Sequence, residues 1–371
     1  MGVWAQIPGQ DDGELSGARR LLADLLRKRL VDAVLVPKPA PGGDNLVQTL
    51  IERTEFLADA DPVAPVMPVQ SARIVSALTA GGAPYRLAAV LKACEVRATI
   101  ELAKLRQVDL TATLLIGVDC LGTYEVSDYG ALVRAGADPT AQALAAARSG
   151  ALSPLPGAAF RTACQMCERP VPAGCQLAIR LLGTGGQVWV EGSAELIGSL
   201  GYDPAGQPPG REESVAALIS ERTATRDRLL AEYRGQTHDL NALLSLFSRC
   251  IRCHNCMVNC PICYCKECIF RTAVFDHPPS QYLTWLQRRG AVRLPADTLL
   301  FHLTRLNHMA TSCVGCGLCS SACPSHLPVA ELFRAVGMEV QALFGYEPGR
   351  SLEDELPVAS FREDELPGVA R

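Results

Sequence analysis

The sequence predicts an α/β domain followed by an all-α domain within one chain. Three observations carry that prediction. A β–α–β pattern runs between residues 88 and 118, two cysteine runs of one spacing follow residue 250, and helical periodicity fills the stretch between and after them. Residues 18–30 place Leu21, Leu22, Leu25, Leu26 and Leu30 on one helical face, and residues 31–37 then read as a buried strand. Residues 88–92 form a second strand leading to Cys94. Residues 96–107 form a helix, and residues 113–118 form a third strand leading to Cys120. A helical crossover makes those last two strands parallel. Cys94 and Cys120 then share the carboxyl edge of the sheet, where open α/β sheets hold their sites. A further short strand is expected at residues 188–190.

The composition limits the function. The chain has 371 residues, 48% of them apolar, and a formal charge of −4 without a long basic run. This argues against nucleic-acid binding as the main task. No window offers a membrane-length apolar stretch. Residues 1–17 lack the basic and apolar regions of a signal peptide, so the expected compartment is the cytoplasm.

Sixteen cysteines in a reducing compartment call for a role other than disulfides, and their spacing indicates metal. Cys250, Cys253, Cys256 and Cys260 precede Pro261, and Cys313, Cys316, Cys319 and Cys323 precede Pro324. Each is a C-x2-C-x2-C-x3-C-P run. The first three thiolates of such a run hold one [4Fe–4S] cubane, and the fourth reaches the other. That rule assigns Cys250, Cys253, Cys256 and Cys323 to one cluster, and Cys260, Cys313, Cys316 and Cys319 to a second. A single C-x2-C would suit a zinc ribbon, but two complete copies with both prolines favour iron–sulfur. About fifty residues separate the runs, with helical patterns at 281–286 and 296–306 and again at 329–338. This region resembles the α-helical ferredoxin domain of succinate dehydrogenase and heterodisulfide reductase small subunits.

Cys263, Cys265 and Cys268 exceed the eight ligands. They read as a further metal site, as an alternative fourth ligand, or as thiols in a turn that shields a cluster. His254 and His326 stand near ligands and are expected to line the cluster surface. In the first half, Cys94, Cys120, Cys164 and Cys167 make four candidate thiolates for a third [4Fe–4S] cluster, with Cys175 as spare or substitute. No G-x-G-x-x-G follows a strand, so a Rossmann nicotinamide domain is not expected.

Residues 13–22, 91–98, 116–122 and 164–167 resemble the coenzyme F420-reducing hydrogenase/formate dehydrogenase β-subunit family over roughly residues 10–200. The resemblance implies FAD and one [4Fe–4S] cluster, with Cys94, Cys120, Cys164 and Cys167 as cluster ligands. It also implies flavin contacts at Ser16, Gly17 and Arg97. Ala93 stands where the family has proline, and Ser16-Gly17 replaces its double glycine. The domains expected are 1–205 for the flavin and cluster domain, 206–246 for a helical linker, 247–345 for the two-cluster α-helical ferredoxin domain, and 346–371 for an acidic tail.

The function implied is an oxidoreductase β subunit. It would pass electrons between a two-electron carrier (coenzyme F420 or NAD(P)H) and a partner of formate dehydrogenase or hydrogenase type, through FAD and the clusters. The alternative is a non-catalytic subunit with clusters only, linking a catalytic subunit to a quinone or a heterodisulfide-reductase-like partner. Either reading implies a hetero-oligomer with other iron–sulfur carriers, and no nucleic acid or transmembrane segment. The tail repeats Glu-Asp-Glu-Leu-Pro at 353–357 and 363–367 and reads either as a solvated tail without contacts or as an arm along a partner, with Leu356, Phe361 and Leu366 as anchors.

Overall fold

The computed structural model describes residues 2–8 and 13–360. Eight strands form one mixed sheet: β1 (Val3–Gln6), β2 (Ala33–Pro39), β3 (Leu46–Ile51), β4 (Leu87–Lys92), β5 (Thr113–Val118), β6 (Leu177–Arg180), β7 (Trp189–Gly192) and β8 (Pro204–Ala205). Their order across the sheet is β3-β2-β4-β5-β6-β7-β1-β8. The centre, β2-β4-β5-β6, is parallel, and every other pairing is antiparallel. The parallel strands read as almost unbroken apolar runs because both of their faces are covered.

Seven helices serve this sheet: α1 (Glu14–Arg27), α2 (Ser71–Thr79), α3 (Ala93–Lys104), α4 (Val126–Arg134), α5 (Pro139–Ser149), α6 (Thr162–Gln165) and α7 (Ala194–Leu200). Val34, Val36, Val90 and Val118 pack with α1, α5 and α7 on one side. Leu35, Leu87, Leu91 and Leu115 pack with α2 and α3 on the other. The period of two along each strand therefore builds two cores.

The β–α–β reading of residues 88–118 corresponds to β4-α3-β5, with Leu87 opposite Thr113 and Lys92 opposite Val118 in parallel register. Strand β4 stops at Lys92, two residues short of Cys94, because the Glu95 carboxylate accepts from the Lys92 backbone N–H at 2.9 Å. That bond turns the chain straight into α3, as a capping box does. Cys94 is therefore a first-turn helical residue.

The second half is helical: α8 (Arg211–Gln236), α9 (Leu240–Leu246), α10 (Asn255–Val258), α11 (Pro279–Arg289), α12 (Thr298–Met309), α13 (Leu318–Ser321) and α14 (Val329–Leu343). Phe247, Phe270, Phe301, Leu327 and Phe333 form its core. No described helix is long and apolar enough to cross a membrane. The stretch expected as a linker is mostly α8, which ties the halves together: Arg211 is buried against Asp119, and Arg234 pairs with Glu339 of α14.

The start of the expected tail also packs on the sheet domain. The Tyr346 hydroxyl donates to Glu101 Oε1 at 2.5 Å, and the Gly349 N–H donates to the same oxygen at 2.7 Å. Leu356 is buried within this chain, so it cannot anchor a partner. Phe361 and Leu366 lie outside the described residues.

Candidate iron–sulfur sites

The loop carrying the first cysteine run leaves α9 and enters α10. Arg252 (φ 56°) and His254 (φ 63°) adopt the left-handed conformation there, which lets the chain wrap around one point. The Arg252 backbone N–H donates to Cys250 Sγ at 3.4 Å. Cys323, from the far end of the second run, accepts from the Leu327 N–H at 3.4 Å. Burial, then the Arg252 N–H and the thiols of Cys323 and Cys253, decide the acidity of Cys250, which is raised overall. Cys256 is pushed up to about 11, by burial first, with Cys250, Cys323 and Cys253 adding and Arg305 opposing. The structure thus brings Cys250, Cys253, Cys256 and Cys323 together.

The second run repeats the backbone of the first, with Gly315 (φ 70°) and Gly317 (φ 77°) at the two left-handed positions. Cys313, Cys316 and Cys319 are all raised, by burial first and then by one another and by Cys260. Cys260 therefore stands with the second run and Cys323 with the first. In the N-terminal half, burial and then Cys120, Cys316 and Cys167 raise Cys94. Cys120 is pushed up to about 11 by burial and Cys164, against Lys92. Cys164 is the exception: burial raises it, but the Arg161 guanidinium and the Thr123 hydroxyl at 3.0 Å outweigh burial and lower it. The Cys120 N–H donates to Pro170 O at 2.8 Å, which ties the end of β5 to the C-x2-C loop.

Three sets of thiols result, and they stand in series. Cys316 acts on Cys94, which links the N-terminal set to the second run. Gly317 lies against Ala163 of α6 so closely that a Cβ there would sit 2.3 Å from the Ala163 Cβ. Among the described residues no three His, Cys, Asp or Glu side chains converge on a position for a single metal ion. A cubane is gripped from outside by four thiolates, which stand further apart than the ligands of one ion. The donor sets fit such clusters: each has four cysteines, and backbone N–H groups donate to Cys250 and Cys323.

Helix α12 presents a stripe that the cysteine spacing does not reveal. His302, Arg305 and Met309 fall on one face, at i, i+3 and i+7. His302 Nε2 lies 3.3 Å from Cys250 Sγ, Arg305 Nη1 lies 3.0 Å from Cys256 Sγ, and Met309 Sδ lies 3.8 Å from Cys260 Sγ. The His302 ring stacks on Phe247 at 4.0 Å, and burial drives its pKa down to about 3, with Arg305 and Arg252 adding. It is neutral at physiological pH, with Nε2 beside the sulfur and Nδ1 buried without a hydrogen-bond partner. His254 does not face a sulfur. Its Nε2 accepts from Arg252 Nε at 3.4 Å, and its ring stacks on Phe301 at 5.0 Å. His326 lies beside Arg161 and Ser321 at the edge of α13.

Cys263 is pushed up to about 11, by burial and then by Cys260, with Cys265 and Cys268 adding and Arg305 opposing. Cys268 Sγ contacts Met257 Sδ at 3.8 Å, and Cys265 is exposed. Burial raises Cys175, whose Sγ packs over Gly117 of β5.

The three residues carried over as flavin contacts are scattered. Ser16 and Gly17 lie in the opening turns of α1, with Gly17 buried. Arg97 is buried and donates to Val314 O at 2.8 Å, in the loop of the second run. None of the three lines the cavity of about 310 Å³ at the carboxyl ends of β2 and β4. That cavity is bounded by Pro37, Gln48, Met67, Val90, Lys92 and Glu95, among others. Gln48 carries a buried Oε1 without a partner, and Lys92 Nζ donates to Ala64 O at 2.7 Å.

Residues 246–327 match the family model of the 4Fe-4S dicluster domain. Over nearly its whole length the chain is similar to the F420-dependent formate dehydrogenase subunit beta of Methanocaldococcus jannaschii. The two are 27% identical over 366 residues, which cover 90% of each chain. It is also 26% identical over 387 residues to the F420-dependent formate dehydrogenase 1 subunit beta of Methanococcus maripaludis, covering 94% of each. A chain of the F420-reducing [NiFe] hydrogenase complex from Methanosarcina barkeri, solved as a xenon derivative, superposes with a TM-score of 0.47 at 13% identity. The superposition covers 65% of this chain and 94% of that one.

Proposed function

We propose that this relative of formate dehydrogenase β subunits is an oxidoreductase subunit that relays electrons through three [4Fe–4S] clusters between coenzyme F420 and a catalytic partner subunit. The observation that carries the reading is the series of three four-thiol sets. Cys94, Cys120, Cys164 and Cys167 would hold the first cluster. Cys260, Cys313, Cys316 and Cys319 would hold the next, and Cys250, Cys253, Cys256 and Cys323 the last. Burial raises Cys94, Cys120, Cys250, Cys256, Cys313, Cys316 and Cys319 and so favours their protonated thiols in the absence of metal. Metal binding deprotonates them and turns their crowding into shared ligation.

FAD would occupy the N-terminal half, with the cavity beside Lys92 and Glu95 as the candidate place for its ring. A flavin bound there exchanges a hydride with the carrier and single electrons with the neighbouring cluster. The cavity fits part of such a group: its walls are apolar, with a few convergent polar atoms, including the unpartnered Gln48 Oε1. Lys92 ends two residues before Cys94, which puts that wall next to the first thiol set. The carrier is F420 by similarity to the relatives; NAD(P)H would meet the same requirement for two electrons.

The far end of the relay is read from exposure. Cys253 is exposed, and Ile251 (63% exposed) beside it in the chain, with Leu283 (59%) and Leu286 (44%) of α11, leaves apolar surface open. Helix α11 has no buried residue, so its apolar face is free to meet a partner of formate dehydrogenase or hydrogenase type. The scatter of Ser16, Gly17 and Arg97 favours the second reading, a subunit with clusters and no flavin.

Cofactor analysis of anaerobically purified protein tests both readings. About twelve irons per chain and acid-released flavin are expected. Eight irons would remove the N-terminal cluster, and twelve irons without flavin would select the second reading. Cys120→Ser or Cys164→Ser should each lose about four irons and spare the other eight. Unchanged iron in both variants would refute the ligand set.

A further inference from the structure

A buried guanidinium needs a counter-charge, because desolvation in a protein interior is costly unless an anion compensates it. Arg180 and Arg211 have the Asp119 carboxylate, and Arg334 has Glu168. Buried Arg97 and Arg222 form no ion pair with a carboxylate among the described residues, and neither do Arg305, 2% exposed, and Arg161, 5% exposed, whose guanidinium nitrogens alone of the four approach a cysteine Sγ. What Arg305 and Arg161 face instead is sulfur.

Arg305 donates from Nη1 to Cys256 Sγ at 3.0 Å and from Nη2 to Cys256 O at 3.0 Å, and its buried Nε has no partner. It is clamped between the rings of Phe301 and Phe333, 5.5 and 5.1 Å from their centroids. One turn along the same helix, Met309 touches Cys260 of the next set at 3.8 Å. Arg305 therefore sits where the outer and middle sets meet, and Cys256, Cys260 and Cys319 all act on it.

Arg161 occupies the corresponding place at the other junction. Its Nε donates to Thr123 Oγ1 at 2.8 Å, Nη2 approaches Cys164 Sγ at 3.9 Å, and Nη1 reaches Ser321 Oγ of α13 at 3.4 Å. Cys164 and Cys94 of the N-terminal set and Cys316 of the middle set act on it, as does Glu125, whose Oε1 accepts from the same Ser321 hydroxyl at 3.0 Å.

We propose that Arg161 and Arg305 are the counter-charges of the two junctions in the relay, each holding up the reduction potentials of the two clusters it separates. The inference rests on the three-cluster reading. A cubane with four thiolates is an anion, and it gains a further negative charge on reduction. A fixed cation nearby stabilises the reduced form more than the oxidised one. When one electron crosses a junction, the donor cluster is oxidised by one and the acceptor reduced by one.

The test is potentiometric titration of the full anaerobic chain followed by electron paramagnetic resonance, with iron measured in parallel. Signals are assigned from a Cys→Ser variant of each set. Arg305→Gln should shift the outer and middle midpoints to more negative values and leave the N-terminal one in place. Arg161→Gln should shift the N-terminal and middle midpoints and leave the outer one. Arg305→Lys and Arg161→Lys, which keep the charge, should restore the midpoints. Midpoints unmoved in iron-replete Gln variants, or all three shifted alike, would overturn the proposal. If a Gln variant fails to hold iron, its Lys counterpart decides. Iron recovered with near-native midpoints supports a charge role, and iron still absent overturns it. A wild-type chain without the three signals would refute the cluster reading itself.

Discussion

Asp119→Asn isolates one buried charge and should unsettle the sheet edge that carries Cys120. The Asp119 side chain is fully buried. Its carboxylate accepts from Arg211 Nη1 at 2.7 Å, from Arg180 Nη1 at 3.2 Å, and from the backbone N–H groups of Leu181 and Leu182 at 2.9 and 3.1 Å. It thereby joins the end of β5, the end of β6 and the start of α8. Asparagine keeps the volume and one acceptor but removes the charge. Arg180 retains Glu191 at 2.7 Å, so only Arg211 is left without an anion. Breaking one buried pair costs about 3–5 kcal/mol. In a unit of this size each kcal/mol lowers the melting temperature by about 2–4 °C, so a fall of about 6–20 °C is expected. Asp119→Ala should do worse, since it also orphans two buried N–H groups at about 1–3 kcal/mol each. Thermal scans of the iron-loaded protein by circular dichroism measure both. An Asn variant that melts within about 2 °C of the wild type would show that the pair contributes less than 1 kcal/mol, and the reasoning would fail.

Two further substitutions probe the packing and the pH response. Gly317→Ala adds a Cβ 2.3 Å from Ala163 at a backbone φ of 77°. It should cost about 2–5 kcal/mol, from strain plus overpacking, and loosen α6, so iron is expected to leave the N-terminal set first. Gly315→Ala, whose Cβ would meet only the flexible Arg334 at 3.3 Å, should cost less, and equal losses would refute the steric account. Asp61 is buried, and burial raises its pKa above the ordinary 3.8 despite the Thr140 hydroxyl at 2.6 Å. Its ionised form therefore destabilises the fold as pH rises above 3.8. Asp61→Asn should melt higher than the wild type at neutral pH, with the difference vanishing below about pH 4, where both states of the wild type are protonated. A difference independent of pH would exclude ionisation as its cause.

The cysteine runs were legible because a cubane demands fixed spacing, and the β4-α3-β5 unit was legible because its apolar runs are punctuated by helical periodicity. The short strands were less so. Of the four-residue strands β1, β6 and β7, only β7 was expected, at residues 188–190, and β1 and β6 carry no turn motif that separates them from loop. The stripe on α12 left a trace in the sequence, since His302, Arg305 and Met309 recur at helical spacing within a helix that periodicity located. Helical periodicity rests on apolar residues, and an arginine at helical spacing ordinarily marks a solvated face. Arg161 and Asp119 each stand within three residues of a cysteine, yet a single charge beside a cysteine becomes informative only once burial is known. The acidic composition of residues 346–356 suggested a solvated tail. Composition could not reveal that Tyr346 and Gly349 share the Glu101 carboxylate as an anchor.

Helix α12 also acts as a ruler. His302 touches Cys250 of the outer set and Met309 touches Cys260 of the middle set, so one rigid rod registers two separate sets. At 1.5 Å per residue the two side chains stand roughly 10 Å apart along the axis. Electron tunnelling falls off steeply with separation. A gap set by a helix resists the small loop motions that would otherwise make the transfer rate fluctuate. In the proposed relay, the insert of about fifty residues between the runs could therefore vary in its exposed part, α11 and its loops, without disturbing the transfer distance, provided that α12 keeps its length and the pitch of that one face.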